Sequence, residues 1–349
     1  MRGISPPCEL IETRSPFRRA AKLIEGADSI LLVAHVNPDG DTLGCVLALY
    51  HALKGMGKQE VHALCHDPVP EIYRFLPGWE VILSEVQSLL TADLAIACDM
   101  NQLNRAGKHE ELLRRARHVI LVDHHVPHER VGDVRLVEPD SGATTEIVYR
   151  WLRRLRVPFT SEIATCLLTG LVTDTFSFKF PNTTARSLRI AAKLKEYGAD
   201  ISYINEQVFE TRSFSAVKLM GLALSTLQTT PEGQIAWVKI SRAAFQQAGA
   251  SDEETEGLVN FVRSVRGVEV AILMREVKEG RVRVSLRSRG KVDVAAIAQI
   301  FGGGGHENAA GCTLHTSLAE AERRVLNEVQ KWMAFSTSTS RSEGPPMRS

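Results

Sequence analysis

The 349 residues fit one large domain or, by usual domain sizes, two, and 44% apolar with 24% charged residues is the balance of a soluble globular protein. Lys plus Arg numbers 42 against 41 Asp plus Glu, and the net charge of +1 excludes a strongly basic coat for long duplex DNA but not a local basic groove. No apolar run approaches the roughly 20 residues of a membrane span, Met1–Cys8 lacks the apolar core of a signal peptide, and the six cysteines form no CxxC pair; the expectation is a cytoplasmic protein without membrane segment or disulfide scaffold.

Residues 1–14 form an N-terminal extension. Ser15-Pro16 opens a helix, with Ser as N-cap and Pro at the first helical position. Three apolar runs then read as buried strands: Ile30–Ala34, Leu94–Cys98 and Val119–Val122. A helix from Gly40 to Ala52, with Leu43, Val46 and Leu47 on its stripe, follows the first strand. From Gly142 to about Leu227 the pattern is helical, clearest in 162–171 and 185–194. This alternation predicts an α/β domain over 15–228 with a mainly parallel sheet. The polar, turn-prone stretch 229–234 is expected to be a linker. Strands over 234–240, 268–276 and 281–287, with helices over 252–265 and 292–300, make a second, smaller α/β domain over 235–335. Residues 336–349, rich in Ser, Thr, Pro and Arg, read as a disordered tail.

Acidic and imidazole side chains gather at the strand ends. His35 follows the first strand, and Asp39-Gly40-Asp41 continues into the turn before the helix. Asp99 follows the second strand and Asp123-His124-His125 the third. In a parallel sheet these ends share one edge, where ligands bind. Asp174 ends the apolar run 167–172. Singly, an Asp after a strand is an N-cap or turn residue and a His is a hydrogen-bonded loop residue. The set reads differently, because Asp39 and Asp41 would repel each other unless a cation lay between them. Two adjacent histidines beside Asp123 are also hard to explain as turn chemistry. With His35, Asp39, Asp41, Asp99, His124 and Asp174 as ligands, the carboxylates bring about four negative charges and the neutral imidazoles none. One divalent ion would leave about −2 and repel a phosphate, whereas two neutralise the site. Carboxylate and imidazole donors without thiolate suit Mn²⁺, Mg²⁺ or Co²⁺ better than a structural Zn²⁺. Two such ions about 3.5–4 Å apart are the apparatus of hydrolytic phosphoryl transfer.

His35-Val-Asn-Pro-Asp39-Gly-Asp41, the Asp99 strand end, Asp123-His124-His125 and Asp174 together resemble the four motifs of the DHH phosphoesterases. That family also contains RecJ-type exonucleases and is related to the family II inorganic pyrophosphatases. Gly302–Gly305, His306 and Ala309-Ala310-Gly311 are similar to the signature of the DHH-associated C-terminal domain. The resemblance spans about 15–330. It implies His35, Asp39 and Asp99 around one metal and Asp41, Asp99, His124 and Asp174 around the other, with Asp99 bridging. It implies His125 facing the substrate phosphate and Asp123 orienting the histidines.

The glycine run has its own physics, since consecutive glycines leave backbone N–H groups free to approach an anion. Gly303, Gly304, Gly305 and His306 are therefore expected to grip a nucleotide, with Arg287 adding a charge-assisted bond to phosphate. Arg105 and the Asn182-Thr183-Thr184 turn resemble further positions near the site. The family implies a nucleotide held across a cleft between the two domains. The two-domain form resembles the nanoRNase and phosphoadenosine-phosphate phosphatase branch, whose substrates are short single-stranded oligonucleotides, linear dinucleotides and 3′-phosphoadenosine 5′-phosphate. It allows a homodimer. Competing expectations are an inorganic pyrophosphatase, against which the glycine motif speaks, and a non-catalytic nucleotide sensor, against which the complete ligand set speaks.

Overall fold

Continuous apolar runs of five residues, such as Leu94–Cys98, are sequences for strands covered on both faces. The computed structural model places them so, and it describes residues 15–85, 91–126 and 131–339, with side chains as far as 334. The chain divides into two compact units, one reaching Thr211 and the other starting at Arg212.

In the first unit, α1 (Pro16–Gly26) precedes β1 (Ser29–Val33) and α2 (Gly40–Gly55). Next come β2 (Glu60–Leu64), β3 (Ile82–Leu83), β4 (Leu94–Cys98), α3 (Glu110–Arg115), β5 (His118–Asp123) and β6 (Val134–Val137). Helices α4 (Thr144–Arg154), α5 (Ser161–Asp174), α6 (Ala185–Glu196) and α7 (Ile201–Asn205) complete it. The six strands pair in the order β3-β2-β1-β4-β5-β6, all parallel. The order reverses between β1 and β4, which opens a crevice at their C-terminal ends. Alternate residues feed opposite faces: Ile30, Leu32, Ile96 and Ile120 pack with α2, α4 and α5, while Leu31, Val33, Ala95 and Leu121 pack with Leu112 and Leu113 of α3.

Helix α2 is buried along Gly40–Leu49 because α5 covers it from outside the sheet. Glycines permit that approach. A Cβ on Gly170 of α5 would lie 2.6 Å from Asp41 Oδ1 and 2.5 Å from the Thr145 side chain.

In the second unit, α8 (Phe214–Leu224) leads into β7 (Gln228–Thr229), β8 (Ile235–Ile240), α9 (Arg242–Ala248) and α10 (Leu258–Arg263). Then follow β9 (Val270–Lys278), β10 (Arg281–Ser288), α11 (Val294–Ile300), β11 (Gly304–His306), β12 (Ala309–Leu314) and α12 (Leu318–Thr339). The sheet order is β11-β12-β10-β9-β8-β7, with only β8 and β9 parallel.

Four expectations need correction. The first domain, expected to reach 228, ends at Thr211, because α8 packs with β8 and α9 of the second unit. Residues 229–234 are no linker: the Thr230 amide donates to the Ile235 carbonyl at 3.0 Å and the Gly233 amide to that of Thr230 at 2.8 Å, making the hairpin turn between β7 and β8. Polarity marks a tight turn as readily as a domain boundary. The helix expected over 252–265 is interrupted by Gly257 at φ +77°, leaving a 3₁₀ turn, Glu253–Thr255, before α10. At the C-terminus α12 continues through Thr339, past the expected start of the tail, because the buried stripe Ala321, Val325, Val329 propagates the helix. The rest of the tail, 340–349, and the extension 1–14 lie outside the described residues.

In an open helix, Gly→Ala stabilises by about 1 kcal/mol. At Gly170 overpacking, about 1–3 kcal/mol, opposes it and wins, because the obstacles are a buried carboxylate and a buried threonine. Gly170→Ala should therefore lower the urea midpoint measured in excess chelator. A raised midpoint would show that the helices separate at no cost.

Candidate metal centre

Each candidate ligand is delivered by an element end. His35 follows β1, Asp39 caps α2, and Asp41 lies in its first turn. Asp39 is also a structural cap, with Oδ1 accepting the Asp41 and Thr42 amides at 3.1 and 3.0 Å. Asp99 follows β4 in a left-handed conformation, φ 57°, while Asp123 ends β5 and Asp174 ends α5.

The six expected ligands converge. His35 Nε2 lies 3.7 Å from Asp39 Oδ1 and 3.3 Å from Asp99 Oδ2. His124 Nε2 lies 3.0 Å from Asp174 Oδ2 and 3.8 Å from Asp99 Oδ1. Their donor atoms form three groups, each within 4.8 Å: His35, Asp39 and Asp99; Asp41, His124 and Asp174; and Asp99, His124 and His125. Asp99 and His124 are each shared by two groups.

Both histidines are oriented through Nδ1. That of His35 donates to the Val36 carbonyl at 2.9 Å and that of His124 to the Ser141 carbonyl at 3.2 Å, which turns each Nε2 toward the carboxylates. Asp123 was expected to orient both adjacent histidines, but it holds only His125, Oδ1 to Nδ1 at 2.8 Å. Asp123 Oδ2 is buried with no hydrogen-bond partner.

Several supporting residues carried no sequence signal. The Thr144 hydroxyl donates to Asp99 Oδ1 at 2.7 Å, and the Thr144 and Thr145 amides donate to Asp41 at 2.6 and 3.0 Å. These amides open α4, where the helix dipole also favours a carboxylate. Fully buried Glu146 accepts from Arg186 Nε at 3.0 Å and from the Ser187 hydroxyl, and Arg186 in turn holds Ser141 and the Asp140 carbonyl. The loop that fixes His124 is thereby pinned by an ion pair. Asn182, in the expected turn, donates to the Gly142 and Asp174 carbonyls. Arg105 is half-buried, and its carbonyl accepts the Val36 amide at 2.7 Å, bracing the His35 loop.

The remaining expected residues belong to the second unit. Arg287 is half-buried at the end of β10, and burial beside Arg263 pulls its guanidinium below the usual value. The glycine run corrects the expectation of free amides: Gly302 and Gly303 donate to the Gln299 and Ala298 carbonyls and close α11. At Gly303 and Gly305 a Cβ would strike the facing strand β12, so both are required by the hairpin. Gly304 is exposed with open space around its Cβ position, and His306 is exposed beside it.

Electrostatics tests whether the donor set fits a cation. Burial, then Asp174 and Asp99, pushes Asp41 well above the usual carboxylate value. Burial likewise pushes Asp174 up to about 6 despite His124. For Asp99, burial is outweighed by His35, His124 and His125, which hold it below the usual range. Burial also opposes the histidine charges, but the carboxylates prevail and push His35 up to about 10 and His124 to about 11. The cluster thus takes up protons for want of positive charge. Divalent cations supply that charge, and the oxygen and nitrogen donors fit them. The neighbouring Cys45 and Cys98 thiols are pushed upward by burial and stay out of the donor set.

The sign of the pH effect follows. His35 and His124 have pKa values raised above the unfolded value near 6.5, so their stabilisation is complete below about pH 6.5 and is lost as pH rises through about 10–11. In excess chelator, the thermal midpoint should fall between pH 6.5 and 8.5. The upward shift on adding Mn²⁺ should grow over the same interval, because the ions displace those protons. A chelated midpoint that rises with pH would contradict this charge assignment.

The DHH family, N-terminal domain, matches residues 29–171 and the DHHA1 domain matches residues 234–334. The bifunctional oligoribonuclease and PAP phosphatase NrnA of Thermus thermophilus is 37% identical over 95% of this chain and 98% of its own length. That of Bacillus subtilis is 26% identical over 85% and 92%. Among solved structures, an exopolyphosphatase-related protein from Bacteroides fragilis superposes with a TM-score of 0.86 at 27% identity, covering 92% of this chain and 97% of its own. The chain belongs to the DHH family of phosphoesterases and carries the DHH-associated C-terminal domain.

Proposed function

We propose that this chain is a two-metal phosphoesterase that hydrolyses short oligonucleotides, linear dinucleotides included, and 3′-phosphoadenosine 5′-phosphate to mononucleotides. The observation that carries the reading is the sharing of Asp99, which belongs both to the group with His35 and Asp39 and to a group with His124. In this reading His35, Asp39 and Asp99 hold one ion, proposed to be Mn²⁺ with Mg²⁺ or Co²⁺ as alternatives. Asp41, Asp99, His124 and Asp174 hold the other. When bound, such a pair supplies Lewis acidity at the phosphoryl oxygens and a water of lowered pKa. The names of the Thermus thermophilus and Bacillus subtilis relatives support the substrate classes.

The chain's own residues do the positioning. His125 is anchored by Asp123, and burial of its ring is outweighed by Asp123 and Asp99, which raise its pKa. It is thereby kept suited to donate a proton or a charge-assisted hydrogen bond to a substrate phosphate. Arg287, Gly304 and His306 are proposed to recognise the nucleotide, Gly303 and Gly305 shaping the hairpin that carries them. The five described cysteines are buried free thiols, the state that the cytoplasm maintains. No helix among the described residues is long and apolar enough to cross a membrane.

Metal analysis and turnover together test the centre. Excess chelator should abolish hydrolysis, and Mn²⁺ or Co²⁺ should restore it better than Ca²⁺, whose coordination is longer and looser. Asp99→Ala should lose metal and activity together. His125→Ala should keep both ions and lose about 10²–10³-fold in kcat. Full activity of Asp99→Ala would sink the two-metal reading, and a missing ion in His125→Ala would reverse the two histidine roles.

A second measurement addresses recognition. Gly304→Ala, His306→Ala and Arg287→Ala should each lower kcat/KM for a dinucleotide far more than for bis-p-nitrophenyl phosphate, which offers no second nucleotide. Equal losses on both substrates would assign these residues to folding, and no loss would make the glycine run purely structural.

A further inference from the structure

The first unit holds a cavity of about 680 Å³ that begins at Phe176, two residues beyond Asp174, and is lined among others by Phe176, Lys179, Asn205, Glu206, Phe209 and Glu210. None of these residues was singled out by motif. Two irregular backbone segments build its wall. Phe176, Ser177 and Phe178 take φ values of 48°, 53° and 63°, the left-handed region that L side chains rarely adopt. Buried Thr175 secures this turn: its hydroxyl accepts the Phe178 amide at 3.0 Å, and its carbonyl accepts the Lys179 and Phe180 amides at 2.9 and 3.0 Å. The other segment is a π turn, Glu206–Glu210, closed by the Thr211 amide on the Glu206 carbonyl at 2.8 Å. Single π turns occur frequently at functional sites.

The lining has the chemistry of a ring site. Phe176 stacks on Phe180, with centroids 5.1 Å apart and planes at 11°, and meets Phe209 edge-on at 4.9 Å. Lys179 Nζ lies 5.5 Å over the Phe176 ring. Against this single ammonium stand two carboxylates, Glu206 and Glu210, so the lining repels a phosphate. A flat heterocycle suits it, with apolar faces for the phenyl rings and amine donors for the carboxylates and the Asn205 carbonyl. The volume lies within the range of small-molecule pockets, about 300–1,000 Å³.

We propose that this cavity binds a nucleobase of the substrate and favours bases that carry an exocyclic amine, as adenine does, over uracil. The proposal rests on the phosphoesterase reading above and deepens it, because it names the element that selects among oligonucleotides.

Kinetics with 5′-phosphorylated adenine and uracil dinucleotides and with bis-p-nitrophenyl phosphate test it, alongside calorimetric binding of adenosine, which has no phosphate. Phe209→Leu keeps an apolar side chain for the core, and should lower the ratio of kcat/KM for the adenine dinucleotide over that for the small diester by about tenfold, mainly through KM. Adenosine binding should weaken in parallel. The double variant Glu206→Gln, Glu210→Gln changes only exposed positions, and should cut the wild-type preference for adenine over uracil at least about fivefold. Unchanged ratios in both variants, or equal losses on all three substrates, would overturn the base site. Adenosine binding that Phe209→Leu weakens, in a protein hydrolysing none of these substrates, would support the base site while overturning the phosphoesterase reading.

Discussion

A carboxylate taken out of water must receive charge or hydrogen bonds in return, and Asp99, 1% exposed, receives both. Thr144 donates to one oxygen, His35 approaches the other, and His124 and His125 lie near the first. Much of the first unit's local geometry meets this requirement. The strand order reverses beside β4, leaving room above the residue. Its left-handed backbone is tolerable for Asp, whose short polar side chain suits that region better than a branched or bulky one. Helix α4 begins where its first side chain and first amides can reach Asp99 and Asp41.

The same requirement governs helix packing. Asp41 sits on α2, buried between the sheet and α5, and only a glycine opposite leaves space for its carboxylate. Behind the imidazoles, Glu146 and Arg186 repeat the pattern of a buried charge answered by a neighbouring one. The pair holds no candidate ligand directly. It fixes the loop whose Ser141 carbonyl sets the His124 ring, so the tautomer of that ring depends on a contact between α4 and α6.

Which parts of this were readable in the sequence depends on burial and on chain separation. Strands β1, β4 and β5 were legible because burial on both faces demands unbroken apolar runs. Strands β2 and β6 were not, since Glu60, His62 and Arg135 interrupt the pattern, and β3 has two residues. The hairpin β11–β12 was read only as a glycine motif, and its glycines owe more to the facing strand than to a ligand. At the centre, residues at strand ends announced themselves because topology sends all such ends to one edge. Thr144, Glu146 and Arg186 could not, because their partners lie far along the chain: Thr144 reaches Asp41, 103 positions away, through an amide that any turn contains, and the Glu146–Arg186 ion pair joins residues 40 positions apart. Asp123 was legible as a neighbour of the histidines, but which one it holds is a matter of rotamer, which spacing does not encode.

Helix α5 ends in Asp174 and runs directly into the left-handed turn that carries Phe176. One short segment therefore connects two concavities of opposite preference. The cluster around Asp99 is rich in carboxylates, and the two cations proposed for it would neutralise that charge and let it accept phosphate. The cavity at Phe176 carries two glutamates that gain nothing from cations held elsewhere, and it stays unfavourable to phosphate. On the proposed reading, charge alone would order a nucleotide, phosphate toward the aspartates and base toward the phenylalanines, before any contact with the second unit is counted. The strain in the turn has a physical rationale on this view: a relaxed helical continuation after Asp174 would move the Phe176 ring, and with it the proposed base site, relative to the carboxylate proposed to hold a metal ion.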